Sequence, residues 1–62
     1  MCESKLVVLE NGEEKVVADN VAYLDLERME AIRLGGERIS LKDYQLKAID
    51  FLNHRILIIR VK

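Results

Sequence analysis

The residues with the most chemistry for their number stand at Met1-Cys2-Glu3-Ser4-Lys5, where the one cysteine of the chain lies beside the first residue. A thiolate next to a free amine can chelate a thiophilic metal ion without a distant ligand. With Met1 removed, the Cys2 amine and sulfur close a five-membered chelate ring. With Met1 retained, its amine, the Cys2 amide nitrogen and the Cys2 sulfur line up as three donors. Mixed nitrogen and sulfur donors suit a square-planar divalent ion, Ni(II) or Cu(II), better than tetrahedral Zn(II). The plainer alternative is that Cys2 is a small hydrophobe packed near a strand end, the usual role of a free cysteine.

One chain offers too few donors to close such a site. A two-fold dimer that joins both N-termini supplies them twice, because an isologous interface duplicates every group near its axis. Elsewhere the chemistry is thin. His54 follows Asn53 in what reads as a turn, where histidine tolerates left-handed angles. A cysteine nucleophile needs a base and an orienting group, and the single histidine has no evident partner. The carboxylates Glu3, Glu10, Glu13, Glu14, Asp19, Asp25, Glu27, Glu30, Glu37, Asp43 and Asp50 are scattered, with no pair set for acid–base work. Gly12 and Gly35-Gly36 fit turns and not a phosphate loop. These features argue against an enzyme. Tyr23 and Tyr44 with Arg33, Arg38, Arg55 and Arg60 supply the stacking and basic groups of an RNA-binding barrel, the alternative function; their bland reading is core filling and surface charge.

The elements that must position Cys2 are short strands. A chain of 62 residues is one domain, 1–62, and buries only about 60% of its unfolded surface, so its core needs a supplement. One cysteine and one histidine supply neither a disulfide nor a zinc cage, which leaves association with a second copy. Half of the residues are hydrophobic and only 5% aromatic, so the core is aliphatic and favours strands. The formal charge of -1, with signs interleaved, leaves no basic footprint for a nucleic-acid backbone. No apolar run reaches membrane-spanning length and no leader pattern is visible; with a reduced cysteine, this points to the cytoplasm.

In chain order, Ser4 to Leu9 is apolar at both parities and ends at Asn11-Gly12, the strongest short hairpin signal, with a return strand at about Glu14 to Ala18. Asp19-Asn20 reads as a turn. Val21 to Glu27 alternates, which places Ala22, Leu24 and Leu26 inward. Asp25 to Gly36 fits either a helix capped by Asp25 or a turn at Arg28-Met29-Glu30 followed by a strand with Ile32 and Leu34 inward. After a turn at Gly35-Gly36, Ile39 and Leu41 face in. From Tyr44 the inward set is Tyr44, Leu46 and Ala48, changing phase at a bulge to Ile49 and Phe51. Asn53-His54 turns the chain into Arg55 to Lys62, again apolar at both parities. The first and last strands are natural neighbours, and the second face of each calls for a partner. Six or seven short antiparallel strands make an all-β domain, either a small barrel or a two-layer sandwich.

Met1-Cys2 with Ser4-Lys5, the hairpin at Asn11-Gly12, Asp19-Asn20-Val21, Gly36-Glu37 and the run Ile49 to Ile56 together resemble the CooT-type family of small nickel-binding proteins over nearly the whole chain. That resemblance implies an SH3-like small β-barrel, a homodimer, and Ni(II) held at the N-termini through Cys2. It also implies a link to nickel delivery for carbon monoxide dehydrogenase, while similar sequences often carry the label of predicted RNA-binding proteins. It turns the Asp25 to Gly36 segment toward the hairpin. A binding scheme that needs an imidazole beside the N-terminus finds none in the neighbouring sequence.

Overall fold

The computed structural model describes residues 3–61. Those residues form six strands and no helix: β1 (Ser4–Glu10), β2 (Glu13–Asp25), β3 (Glu30–Arg33), β4 (Arg38–Ser40), β5 (Tyr44–Asp50) and β6 (Arg55–Arg60). They make one sheet in the order β4-β3-β2-β1-β6-β5, which curls into a half-barrel. The all-β small barrel expected from the sequence is therefore present, as a single curled sheet and not a two-layer sandwich. Four ladders are antiparallel; β1 and β6 pair in parallel. The described residues contain no helix long and apolar enough to cross a membrane.

Each turn follows from its residues. Asn11 and Gly12 take φ of 53° and 79°, the left-handed pair that a two-residue hairpin requires to match strand twist. The segment from Asp25 onward is the hairpin and not the helix. Asp25 Oδ1 accepts hydrogen bonds from the amides of Glu27 and Arg28 at 3.1 and 3.0 Å, and Met29 reverses the chain at a φ of 53°. Gly36, at a φ of 93°, closes the next turn, where a side chain would be strained.

Asp19-Asn20 is not a turn. β2 runs straight through it for 13 residues, and Asn20 takes its φ of 57° inside the strand. The registers show why. Ser4 pairs with Val21, Leu6 with Ala18 and Val7 with Val16, so β2 carries extra residues at Asp19-Asn20 and at Val17; a third lies at Ala22, between the Val21–Arg33 and Tyr23–Ile32 pairs. Each bulge bends the strand and flips the side that follows. β2 can thereby leave β1 and pick up β3. The same flips overturn two expected inward sets. Val21 is buried while Ala22, Tyr23 and Leu26 are exposed, and only Leu24 of the expected set packs against the core; on β3 Ala31 is buried and Ile32 half-buried, and Leu34, just past the strand, is exposed. In β5 the expected bulge is real but sits at Lys47, so Ala48 faces out, Ile49 shares the inner row with Ile56, and Phe51 stands exposed in the turn.

The core is aliphatic, as composition demands: Leu6, Val8, Val21, Ala31, Leu41, Ile56 and Ile58 are buried together, with Leu24, Ile39, Tyr44 and Leu46 packed against them. Val7 points to the opposite face of β1 and is equally buried, at 2% exposure. Its cover is internal. Arg55 on β6 donates from Nη1 to Glu14 Oε1 on β2 at 2.8 Å, and since Glu14 stands opposite Leu9 and Arg55 opposite Lys5, this pair crosses β1 at the level of Val7. The second face of β1 therefore finds its partner within the chain, through the stems and heads of two long side chains.

The last turn, Phe51 to His54, is stapled by Asp50. Its Oδ2 accepts from the Asn53 side-chain amide at 2.9 Å and its Oδ1 from the Asn53 backbone amide at 3.0 Å, with the Arg55 guanidinium 3.6 Å away. These hydrogen bonds, the side-chain one foremost, hold the Asp50 carboxyl below the usual aspartate range. His54 completes the turn at a φ of 56°.

Two outcomes follow for stability. Replacing Asn20 with Val should destabilise the chain by about 1–2 kcal/mol in urea denaturation, the cost of a left-handed β-branched residue, whereas Asn20→Gly should be near neutral. Because the folded Asp50 binds its proton less readily than the unfolded one, its contribution is present above pH of about 4 and is lost as pH falls toward its folded value. Thermal melts should accordingly show a shallower acid limb for Asp50→Asn than for the wild type; identical limbs would remove this account of the turn.

Candidate functional site

Met1 and Cys2, the residues singled out for metal binding, lie outside the described residues; what the structure shows is the platform that carries them. β1 occupies the middle of the sheet and is paired on both sides from its first turn of pleat. Ser4 stands opposite Val21 on β2, and Lys5 opposite Arg55 on β6. The Lys5 amide also donates to the His54 carbonyl at 2.8 Å, which extends the β6 ladder toward the N-terminus. The described start of β1 is thus held by a neighbouring strand on each side.

Glu3 begins that platform. It is half-buried, and its Oε2 is enclosed without a hydrogen-bond donor among the described residues. His54, which reads from the sequence as a turn residue and not a ligand, is brought by the parallel ladder with its backbone beside Lys5. The signal available in the sequence was the pairing of two doubly apolar strands; their relative direction, which decides which end of β6 meets the N-terminus, is not encoded in that pattern. Among the described residues no group of three or more His, Cys, Asp or Glu side chains could hold a metal ion.

Beside the platform opens a cavity of about 170 Å³, at the mouth of the half-barrel where Ser4, the bulged part of β2, Ile49 and Phe51 meet. A second hollow, lined by Asn20, Arg33, Leu34, Gly35 and Glu37, is structural in character. There the Arg33 guanidinium bridges Asp19 at 3.1 Å and Glu37 at 2.8 Å, tying the β2 bulge to the β3–β4 turn.

The residues weighed for RNA are dispersed and largely engaged. Arg33 is held as just described, Arg55 faces Glu14 and Asp50, and Arg60 lies 5.1 Å over the Tyr44 ring and 3.8 Å from Glu10. Tyr44 packs against the core, while Tyr23 is 60% exposed on another part of the surface. No continuous basic face with interleaved aromatics is formed by these six residues.

Comparison with known proteins completes the picture. No curated relative matches the chain. A crystal structure from Carboxydothermus hydrogenoformans, described as that of a CooT protein, is similar to the chain with a TM-score of 0.80 at 23% identity, over 95% of this chain and 97% of that one. At that identity the likeness shows the fold. The family model for CooT, the CO dehydrogenase accessory protein, matches residues 1–59, which include both Met1 and Cys2. The chain thus belongs to the CooT family of CO dehydrogenase accessory proteins.

Proposed function

We propose that this protein is a cytoplasmic, non-enzymatic Ni(II)-binding accessory protein that works as a homodimer and hands nickel to a nickel enzyme such as carbon monoxide dehydrogenase. The observation that carries the reading is membership of the CooT family over residues 1–59. An accessory protein for a nickel enzyme has an evident cargo, and the chain has one soft ligand, Cys2, with nitrogen donors at Met1 and at its own amide. The structure supports this by anchoring β1 on both sides just beyond those donors. Glu3 adds a negative environment to the same end.

In this reading each chain contributes the Cys2 thiolate and a nearby nitrogen, so two chains complete a planar four-donor set. The protein performs no bond-breaking chemistry. Its work is to exclude competing geometries by fixing the donors and to release the ion to a receiver with a better set. Binding is proton-coupled, since an amine of unperturbed pKa about 8 and a thiol of about 8.5 must both lose protons. Affinity therefore falls as pH drops.

The test is a titration of the intact chain with nickel alone, followed by the thiolate-to-metal absorption band. A saturable band at one nickel per two chains is expected, weakening by about tenfold or more per pH unit below about 8, because two protons leave each chain on binding. Cys2→Ser should abolish the band while leaving the thermal melt unchanged. Undiminished nickel binding by Cys2→Ser would sink the reading.

A further inference from the structure

We propose that Asn11 is a self-modifying site, at which the tip of the β1–β2 hairpin converts to an isoaspartyl link and so unfastens the Glu14–Arg55 pair that covers Val7. The reaction needs base and water alone and is independent of any metal.

Its steps follow from the atoms at the turn. A solvent base takes the proton of the Gly12 backbone amide, and that nitrogen attacks Asn11 Cγ. The new N–Cγ bond forms, the Cγ–Nδ2 bond breaks, and the departing nitrogen takes up a proton from solvent to leave as ammonia. What remains is a five-membered succinimide. Water then opens the ring at either carbonyl and returns a proton to the ring nitrogen. Opening at Cγ yields aspartate; opening at the main-chain carbonyl yields isoaspartate, in which the chain continues through Cβ and Cγ.

The chain has three asparagines, and the structure separates them. Asn11 and Gly12 are both exposed, and apart from its chain neighbours nothing lies within 4 Å of where a Gly12 Cβ would stand, so the attacking nitrogen is open to solvent. That nitrogen is also unengaged. A two-residue turn closes through the amide of the residue after it, here Glu13, and the Gly12 amide has no hydrogen-bond partner in the turn. Asn20 shares the left-handed backbone, at a φ of 57°, but is followed by Val21, which is 3% exposed and paired with Ser4 on one side and Arg33 on the other. A branched side chain and two ladders block the same attack there. Asn53 is pinned, its side-chain nitrogen donating to Asp50 Oδ2 at 2.9 Å and its backbone amide to Oδ1 at 3.0 Å. Ring closure at Asn11 needs only a frayed hairpin tip, the part of a sheet that opens most readily.

The product disturbs the pair that crosses β1. Glu10 stands opposite Glu13 and Glu14 opposite Leu9, so a carboxylate at position 11 joins a tip already rich in negative charge. Lys15 at 3.5 Å and Arg60 at 3.8 Å relieve Glu10, which limits the cost of that charge. The larger effect is in the backbone. An isoaspartyl link inserts an extra main-chain carbon and removes the left-handed pair whose twist matches the strands, so the Glu10–Glu13 and Leu9–Glu14 pairs lose register. Glu14 then no longer lies where Arg55 of β6 meets it, and Val7 loses its cover.

The test ages the intact chain in mildly alkaline and mildly acidic buffer. Peptide mass mapping follows each asparagine, and methyl acceptance from an isoaspartyl carboxyl methyltransferase reports the isoaspartate. Asn11 should convert faster than Asn20 or Asn53 by on the order of tenfold or more, because frayed tips open at almost no cost and paired strands near that of global unfolding. Alkaline buffer should speed the conversion, since the attacking amide must lose its proton. In urea the aged chain should unfold at a lower midpoint than the fresh one, while Asn11→Gly, which keeps a residue pair suited to the turn, shows neither conversion nor a shift on ageing. Asn11→Asp carries the charge without the extra carbon and should lose less than the aged chain. Ageing should also cost less in Glu14→Gln, where the pair over Val7 is already weakened. Conversion of Asn20 or Asn53 at the rate of Asn11, or an Asn11 that survives while the urea-unfolded chain converts, overturns the site. An equal loss on ageing in Glu14→Gln, or an aged chain as stable as the fresh one, overturns the unfastening of the pair.

Discussion

The parallel pairing of β1 with β6, with β2 on the other side of β1, is the constraint on which the rest of the molecule depends. Leu6 and Val8 enter the core only because Ile56 and Ile58 stand opposite them on β6, and the same register lays Val7 under the ion pair that spans three strands. The energy of that pair is modest in itself, since side chains with substantial exposure in water gain little from Coulomb attraction. Its weight comes from what the long side chains cover. Removing it would leave Val7 and Leu57 as an open apolar stripe across the centre of the sheet, a surface prone to unwanted association. The ladder also continues beyond the start of β6, where the Lys5 amide donates to the His54 carbonyl.

Much of the fold was legible because local chemistry specified it. Asn11-Gly12 and His54 tolerate left-handed backbone, and both places form turns with it. The two strands apolar at both parities, β1 and β6, proved to be neighbours in the interior of the sheet. What could not be read depends on a partner strand. Asn20 carries the same signal as Asn11, tolerance of positive φ, but whether that makes a turn or a bulge is decided by β1 continuing to pair on the far side. Once one bulge is misplaced, every later side assignment inverts, which is why Ala22 and Leu26 were expected inside and Val21 was not. The site divides in the same way. Cys2 announces itself by type and position, whereas the orphan oxygen of Glu3 and the approach of His54 exist only after the strands have chosen their directions.

The two hollows differ in how their walls are built. Exposed large apolar groups gather in part at the mouth, next to the platform, while bridges such as Arg33 to Asp19 and Glu37 lock the β2 bulge and the β3–β4 turn at the other hollow. Ion pairs and Asx-type staples serve here to fix loops, the Asp50–Asn53 staple of the β5–β6 turn among them.

The β1–β6 ladder also bears on the order in which the molecule can be made. Lys5 and Arg55 are partners although fifty positions separate them, so the contact that seats β1 closes a loop of almost the whole described chain. Such closure is entropically slow and comes late, after the β1–β2 and β2–β3 hairpins have formed locally. Until β6 arrives, Ser4 and Lys5 stand at a hairpin edge with a neighbour on one side alone. The end of β1 at Ser4 and Lys5 is thus among the last parts of the sheet to be held on both sides, although it lies at the start of the described chain.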